Sequence, residues 1–374
     1  MQMDDGLEGV VAARTVLSEV DGAAGRLVLR GHSLDAVAGR WRYEQVLALL
    51  WRGFFEDAPD GDALAGALGR ARVEAASLLR ADDREALSAL PPVEAMRALL
   101  ARVPDGDDLP TALRLVAATA VFTAAVLRWR AGLPALAPQA DAPHAADLLR
   151  LAHGAPASAA QAAGLDAYLV TVADHGLNAS TFAARVVAST GAGLASAVLA
   201  GLSALKGPLH GGAPGPVLDM LDAIGSAGAA ARWLDAALDR GERLMGFGHR
   251  IYRVRDPRAD ALKGALHRLA EAGGMQPERV ALAEAVERAA LASLQARKPG
   301  RVLETNVEFY TALLLEALGL PREAFTAIFA AGRVGGWIAH AREQVRGGRL
   351  IRPQSVYVGP APDARQECAE PLPA

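Results

Sequence analysis

Apolar residues recur along most of this chain at the three- and four-residue spacing of an amphipathic helix. This spacing predicts helices that include residues 43–51, 112–131, 217–224 and 281–294. Clusters of Pro and Gly separate the apolar segments into helices of ordinary length. Alternation typical of strands is confined to residues 26–30 and 355–358, which predict short edge strands. The pattern therefore predicts an all-α protein.

Length and charge narrow the class of protein. A chain of 374 residues is long for one core and suits two domains, or one domain with an insertion. Its net charge of -3 gives no reason to expect a nucleic acid as partner. The positive charge is concentrated locally, in residues 250–258 and in the last part of the chain. Such local charge favours a small anionic substrate.

Three features bear on location. Cys368 is the only cysteine, so we expect no internal disulfide and a reducing, cytoplasmic location. The N-terminus lacks the basic and apolar regions of a secretory signal. The longest uncharged run, residues 186–205, is diluted by Gly, Ser and Thr and favours a buried helix over a membrane span. No membrane is therefore expected as a partner.

Two glycine-framed histidines are candidates for proton transfer. His249 lies in MGFGHRIYRVRDPR (245–258), between glycines and four arginines, which suits an anion-binding site that transfers protons. A solvated basic loop is the alternative interpretation of the arginines alone. His210 lies in GPLHGGA (207–213) after a predicted helix, where a histidine can donate a hydrogen bond to a developing oxyanion. A turn histidine that only caps a helix is the alternative there.

Two further segments place polar groups in apolar surroundings. His175 precedes NASTF (178–182), a polar island that must be satisfied by a ligand or internally. Glu308 stands among apolar neighbours, an environment that raises the pKa of a carboxylate and suits a general base. The eight histidines show no His-x-His or His-Glu-x-x-His spacing, so no metal site is expected.

Taken together and in order, these segments resemble the citrate synthase family, in the shorter prokaryotic type that includes 2-methylcitrate synthases. The resemblance runs through most of the chain. It is carried by NASTF (178–182), LHGG (209–212), GFGHRIYRVRDPR (246–258), FAAGRVGGWIAHAREQ (329–344) and IRP (351–353).

The resemblance implies an enzyme that condenses acetyl-CoA with oxaloacetate and needs no cofactor. It implies that Glu308 is the base, His210 the enol partner and His249 the acid on the ketone. The residues implied for oxaloacetate are His175, Arg258, Arg333 and Arg352, of which Arg352 reaches in from the neighbouring subunit of a homodimer. Charge alone suggests that three more arginines bind the phosphates of CoA: Arg250, Arg253 and Arg255.

The resemblance also implies a fold. We expect a large helical domain formed by residues 1–212 and 320–374, with a flexible tail after about residue 360. Residues 213–319 are expected to form a smaller inserted helical domain that closes over bound oxaloacetate. Closure would exclude water from the reacting groups.

Glu308 departs from the family, in which aspartate is usual at this position. The extra methylene moves the carboxylate by roughly an ångström, and a misplacement of that order costs about 10²-fold in rate. Three interpretations stay open: a shifted helix accommodates Glu308, the enzyme is slow or uses another acyl group such as propionyl-CoA, or the chain is a non-catalytic paralogue. One methylene is worth only about 1–3 kcal/mol of discrimination between acyl groups.

Overall fold

The computed structural model describes residues 6–7, 9–211, 215–249, 251–300 and 302–360. Helices dominate these residues, which confirms the all-α prediction. Two 3-10 helices cover Ala227–Ala229 and Arg322–Ala324. The α-helices of the described residues, in chain order, are α1 Leu34–Val37, α2 Tyr43–Trp51, α3 Gly61–Ala76, α4 Asp83–Leu87, α5 Pro92–Leu100, α6 Leu109–Arg130, α7 His144–His153, α8 Ala159–Val172, α9 Ala179–Ala188, α10 Leu194–Leu205, α11 Gly215–Ile224, α12 Ala230–Asp239, α13 Pro257–Glu271, α14 Pro277–Arg297, α15 Val307–Ala317 and α16 Phe325–Gly347.

A small antiparallel sheet precedes the helices. Its strands, β1 Ser18–Asp21, β2 Arg26–Leu29 and β3 His32–Ser33, lie in the order β1-β2-β3. A strand forms at 26–29 as predicted, but β2 is the central strand of the sheet and not an edge strand. Strand β1 was not predicted because it contains a single apolar residue, Val20, and β3 spans only two residues. The predicted strand at 355–358 was wrong, since these exposed residues form no strand. Among the residues that the structure describes, no strand pairs with this segment.

Helices α6 and α16 form the centre of the core. Nearly every residue of α6 is buried, and α6 packs against α3, α5, α7 and α16. Of the described helices α6 alone is long and apolar enough to cross a membrane, but 83% of its apolar window is buried inside the protein. That degree of burial is expected of a core helix. The uncharged run at 186–205 forms parts of α9 and α10, which pack against each other.

Glycines in α16 allow its close approach to the end of α8. A Cβ on Gly332 would lie 2.4 Å from Cγ2 of Val172, and one on Gly336 would lie 2.2 Å from the carbonyl oxygen of Ala173. These positions admit no larger side chain without a backbone shift. The segment that follows α8, and that carries His175, is therefore held against α16.

Helices α13 and α15 connect the segment 213–319 to the rest of the fold. Helix α13 packs on both α8 and α15, while α12 packs on α14 and α11 on α15. The division into domains at 212 and 319 stays a prediction. What matters for the site is that α13 and α15 both begin beside α8.

Candidate active site

A cavity of about 510 Å³ lies where α9, α13, α15 and α16 meet the end of α8. Its walls include loops from both glycine-framed histidine motifs. Six side chains singled out in the sequence line this cavity: His175, His210, His249, Arg258, Glu308 and Arg333. Segments more than 150 residues apart in the chain therefore contribute to one site.

The ring of His249 is fixed by its own loop. Its Nδ1 accepts hydrogen bonds from the backbone amides of Ile251 at 3.0 Å and Tyr252 at 3.1 Å. These bonds assign the imidazole proton to Nε2. Burial and the nearby Arg258 lower the pKa of His249 to about 4, so the ring is neutral at pH 7. His249 can therefore donate one proton from Nε2.

Arg258 lies beside that proton. Its Nη2 is 3.2 Å from Nε2 of His249, and its Nε and Nη2 donate to Asp256 at 3.0 and 2.8 Å. The N–H groups of Arg258 and His249 repel each other unless both donate to one shared acceptor. An oxygen of an anionic substrate would supply that acceptor.

Asp256 joins the two helices that begin at the site. It caps α13 by accepting the amide of Arg258 at 3.0 Å, and it also accepts the amide of Val307 at 3.2 Å. Val307 is the first residue of α15, one position before Glu308. One buried carboxylate thus sets the position of Arg258 relative to Glu308.

Glu308 lies in the first turn of α15, where Asn306 caps the helix by accepting the amide of Glu308 at 3.0 Å. No hydrogen bond to the carboxylate itself is found among the described residues. Burial raises the pKa of Glu308 to about 7, although Arg258 lowers it in part. A carboxylate with that pKa is matched to proton abstraction near neutral pH.

His210 contacts the polar island of α9. Its Nε2 is 2.9 Å from Oγ of Ser180, which also lies 2.8 Å from Oδ1 of Asn178. The single hydroxyl proton of Ser180 can point to either acceptor, and when it points to His210 the imidazole proton resides on Nδ1. Burial and Arg333 lower the pKa of His210 to about 4, so this ring is also neutral.

His175 and Arg333 are buried on the side of the cavity formed by α8 and α16. Nε2 of His175 is 3.1 Å from the hydroxyl of Tyr252, and burial followed by Arg258 lowers the pKa of His175 well below its ordinary value. Arg333 donates from Nε to the carbonyl of Val172 at 2.5 Å. Burial lowers the pKa of Arg333 to about 10, and Arg258 adds to this effect. The cavity therefore favours an anion.

Three of the remaining predicted residues, Arg253, Arg255 and Arg352, do not line the cavity. Arg253 and Arg255 are exposed, and Arg255 pairs with Asp260. Arg352 is exposed in the segment after α16. Arg250 lies outside the described residues, as does Cys368. Their predicted contacts with CoA and with a neighbouring subunit stay predictions.

Arg243 and Tyr252 are lining or contacting residues that the sequence reasoning missed. Arg243 is exposed at the rim of the cavity, two residues before the MGFGHR run, and that proximity was its only signal. The ring of Tyr252 lies 4.9 Å from that of His249 and 5.7 Å from that of His175. Tyr252 lies inside the MGFGHRIYRVRDPR motif, but its type and position gave no separate sign of a role.

A larger and more open groove of about 1140 Å³ lies elsewhere, between α2, α3 and α16. Two of its three arginines are already engaged, since Arg342 donates to the carbonyl of Phe54 at 3.3 Å and Arg346 to that of Gly53 at 2.9 Å. No histidine lines it. The titratable groups converge in the smaller cavity, and among the described residues no group of His, Cys, Asp and Glu could hold a metal ion.

Comparison with known proteins shows the family to which the chain is similar. The family model described as citrate synthase, C-terminal domain, matches residues 6–354. The chain is 41% identical over 363 residues to putative citrate synthase 2 of Mycobacterium tuberculosis, covering 96% of this chain and 93% of that protein. It is 38% identical over 375 residues to citrate synthase of Haloferax volcanii, covering 96% of each. It is also 36% identical over 369 residues to 2-methylcitrate synthase of M. tuberculosis, covering 95% of this chain and 90% of that protein.

Solved structures give the same result. Citrate synthase of Thermotoga maritima matches with a TM-score of 0.82 and 31% identity, over 99% of this chain and 100% of that chain. The ternary complex of Thermoplasma acidophilum citrate synthase with carboxymethyl coenzyme A and oxaloacetate matches with a TM-score of 0.83 and 28% identity, over 99% of both chains. Fold, site and relatives define an acyltransferase. The chain belongs to the citrate synthase family.

Proposed function

We propose that this protein is a citrate synthase that condenses acetyl-CoA with oxaloacetate to give citrate and CoA. One observation carries the proposal. A carboxylate with a pKa of about 7 and two neutral histidines line a single cavity with two buried arginines. The ligands named in the Thermoplasma acidophilum complex support the choice of substrates.

Glu308 begins the reaction by removing a proton from the methyl group of acetyl-CoA. At pH 7 roughly half of a carboxylate with that pKa is ionised, so the base is available without being too weak. His210 donates a hydrogen bond to the thioester oxygen as the enol forms. A neutral imidazole suits this role because its N–H group can donate to the developing oxyanion, and the ring carries no positive charge that must first be removed.

His249 and the arginines act on oxaloacetate. The enol carbon attacks the ketone carbon, and the ketone oxygen takes the proton from Nε2 of His249. Arg258, Arg333 and His175 hold the two carboxylates, for which guanidinium groups have matching bidentate geometry. Water then hydrolyses the citryl thioester: His249 regains its proton from the attacking water, and Glu308 returns its proton to the leaving thiolate, which releases citrate and CoA.

Three wider features belong to the proposal. A homodimer would bring Arg352 of the neighbouring subunit to the cavity, which agrees with its exposed position away from its own site. Arg243 at the cavity rim is a further candidate for the phosphates of CoA, beside Arg253 and Arg255. Closure of residues 213–319 over oxaloacetate would exclude water from the thioester.

The alternative is a 2-methylcitrate synthase that uses propionyl-CoA. It is supported by the relative of that name and by Glu308, whose length changes the space beside the acyl group. A non-catalytic paralogue is the second alternative. The complete set of titratable groups in one cavity favours an enzyme over a non-catalytic paralogue.

One experiment tests all three. CoA release is measured with acetyl-CoA and with propionyl-CoA, each with and without oxaloacetate, for the wild type and for Glu308→Asp. The proposal expects oxaloacetate-dependent release that is faster with acetyl-CoA. Faster release with propionyl-CoA would identify the alternative acyl group. No release with either substrate, from either protein, would reject an enzyme.

A further inference from the structure

A chain of buried polar side chains lies behind the cavity, on the side away from the reacting groups. Nη1 of Arg185 in α9 is 2.9 Å from Nδ1 of His340 in α16, and Nε2 of His340 is 3.1 Å from Oδ1 of Asp174. All three residues are buried, and none lines the cavity. The chain thus runs from one helix through a second helix to the residue before His175.

The direction of the hydrogen bonds in this chain is fixed. Arginine has only donors, so Nδ1 of His340 must accept from Arg185. The imidazole proton of His340 then resides on Nε2 and points at Asp174. Arg185 is itself held by Glu343 at 2.6 Å and by Gln344 at 3.0 Å. Arg185 therefore sets the tautomer of His340, and His340 orients Asp174.

The other oxygen of Asp174 fixes the backbone around His175. Oδ2 of Asp174 accepts a hydrogen bond from the hydroxyl of Ser18 in β1. The same hydroxyl oxygen accepts the amide of Gly176 at 3.0 Å. His175 thus lies between two residues that are both bound to Ser18.

Asp174 is also a counter-charge to Arg333. Asp174 raises the pKa of Arg333 against the larger effect of burial. A Cβ on Gly336 would lie 3.3 Å from Oδ1 of Asp174, so the carboxylate lies directly against α16, one turn after Arg333. A buried cation without such a partner is costly, and it would move or recruit water.

We propose that the chain Arg185–His340–Asp174 positions His175 and Arg333 for binding the ketoacid. These are positioning residues, because none of them reaches the cavity. The inference rests on the proposed function, which assigns oxaloacetate to His175 and Arg333. It predicts that breaking the chain weakens oxaloacetate binding and leaves the acyl-CoA part of the site nearly unchanged.

The test measures oxaloacetate binding by calorimetry for His340→Leu, His340→Gln and a matched control. The control is His144→Leu, since His144 is a buried histidine whose Nδ1 lies 3.4 Å from the buried Arg72 and which does not line the cavity. We expect a Kd at least tenfold higher for His340→Leu and an unchanged Kd for His144→Leu. His340→Gln keeps one donor and one acceptor, so its Kd should lie closer to that of the wild type.

A second, milder variant keeps the inference testable if His340→Leu does not fold. Ser18→Ala removes only the hydroxyl that binds Asp174 and Gly176, and we expect a Kd raised about threefold or more. The KM for acetyl-CoA at saturating oxaloacetate should change less than threefold in every variant. Unchanged binding in both His340→Leu and Ser18→Ala, or equal losses in His340→Leu and His144→Leu, would overturn the inference.

The outcomes separate this inference from the proposed function. Wild-type protein that binds oxaloacetate but releases no CoA would reject the function and leave the inference standing. Wild-type protein that turns over, with variants of unchanged affinity, would reject the inference alone. A wild type that does not bind oxaloacetate would overturn both.

Discussion

Glu308→Gln is expected to stabilise the folded protein at alkaline pH while it removes activity. Burial raises the pKa of this carboxylate from 4.5 to about 7, and no hydrogen bond to its oxygens is found among the described residues. Ionising the group in the folded state is therefore unfavourable. The amide has a similar shape and no charge to bury.

The magnitude follows from the pKa. Each pKa unit is worth about 1.4 kcal/mol, so a change from 4.5 to about 7 corresponds to roughly 3 kcal/mol, taken as an upper value. Below 4.5 the carboxyl is protonated in both the folded and unfolded states, and the cost is absent. As the pH rises through 7 the folded protein must ionise, and above that pH the full cost applies.

Urea unfolding of ligand-free protein at pH 8.5 and pH 5 checks this prediction, with both pH values chosen as roughly the two ends of the titration. Glu308→Gln should be more stable than the wild type at the alkaline pH, and most of the gain should disappear at the acid pH. The control is Glu316→Gln in the same helix, whose carboxylate accepts from Arg279 at 2.8 and 2.9 Å. Losing that partly exposed ion pair should destabilise by less than about 1 kcal/mol.

Two results would refute the reasoning. If Glu308→Gln is no more stable than the wild type at pH 8.5, its carboxylate is not desolvated in the ligand-free protein. If its gain is the same at both pH values, the effect arises from packing and not from charge. In either case Glu308 would not be a base whose pKa is raised toward neutral pH by burial.

Three further predictions follow from the site. The rate of CoA release should rise tenfold per pH unit below a pKa of about 7 and level off above it, because Glu308 must be ionised; a flat profile from pH 5 to 8 would contradict this. Gly22→Ala should lower kcat/KM by about 10²-fold, because the added Cβ would lie 2.3 Å from the carbonyl oxygen of Ile251 in the His249 loop. The control Gly228→Ala places its Cβ in open space and should leave kcat/KM unchanged. Asp256→Asn should destabilise the protein by about 3 kcal/mol in thermal unfolding, because it leaves a buried guanidinium without its counter-charge; a loss below about 1 kcal/mol would count against it.

Several elements could be predicted from local pattern alone. Helix α2 was predicted with the bounds that the structure has, and the apolar segment at 112–131 corresponds closely to α6. In both segments the apolar positions fall on the helical period, and the surrounding core preserves that local preference. The motif segments were also recognised from sequence, because several of them occur together in the order typical of one family.

Other features depended on contacts that sequence does not display. The alternation at 355–358 resembles a strand, yet no neighbouring strand exists for it among the described residues. Arg253 and Arg255 have the same chemistry as Arg258, but only Arg258 is turned inward, where Asp256 binds it. Charge identifies an arginine, whereas burial decides its role.

By itself, the sequence determined the helical class, the family motifs and the chemical identity of the candidate site residues. Periodicity and residue type are local properties, so the chain carries them without folding. Only the tertiary structure decided which polar groups share one cavity, that Glu308 has a pKa of about 7, and that Asp174 and His340 stand behind His175. The reason is physical: desolvation and hydrogen bonding depend on neighbours that lie far apart in sequence, and packing alone brings them together.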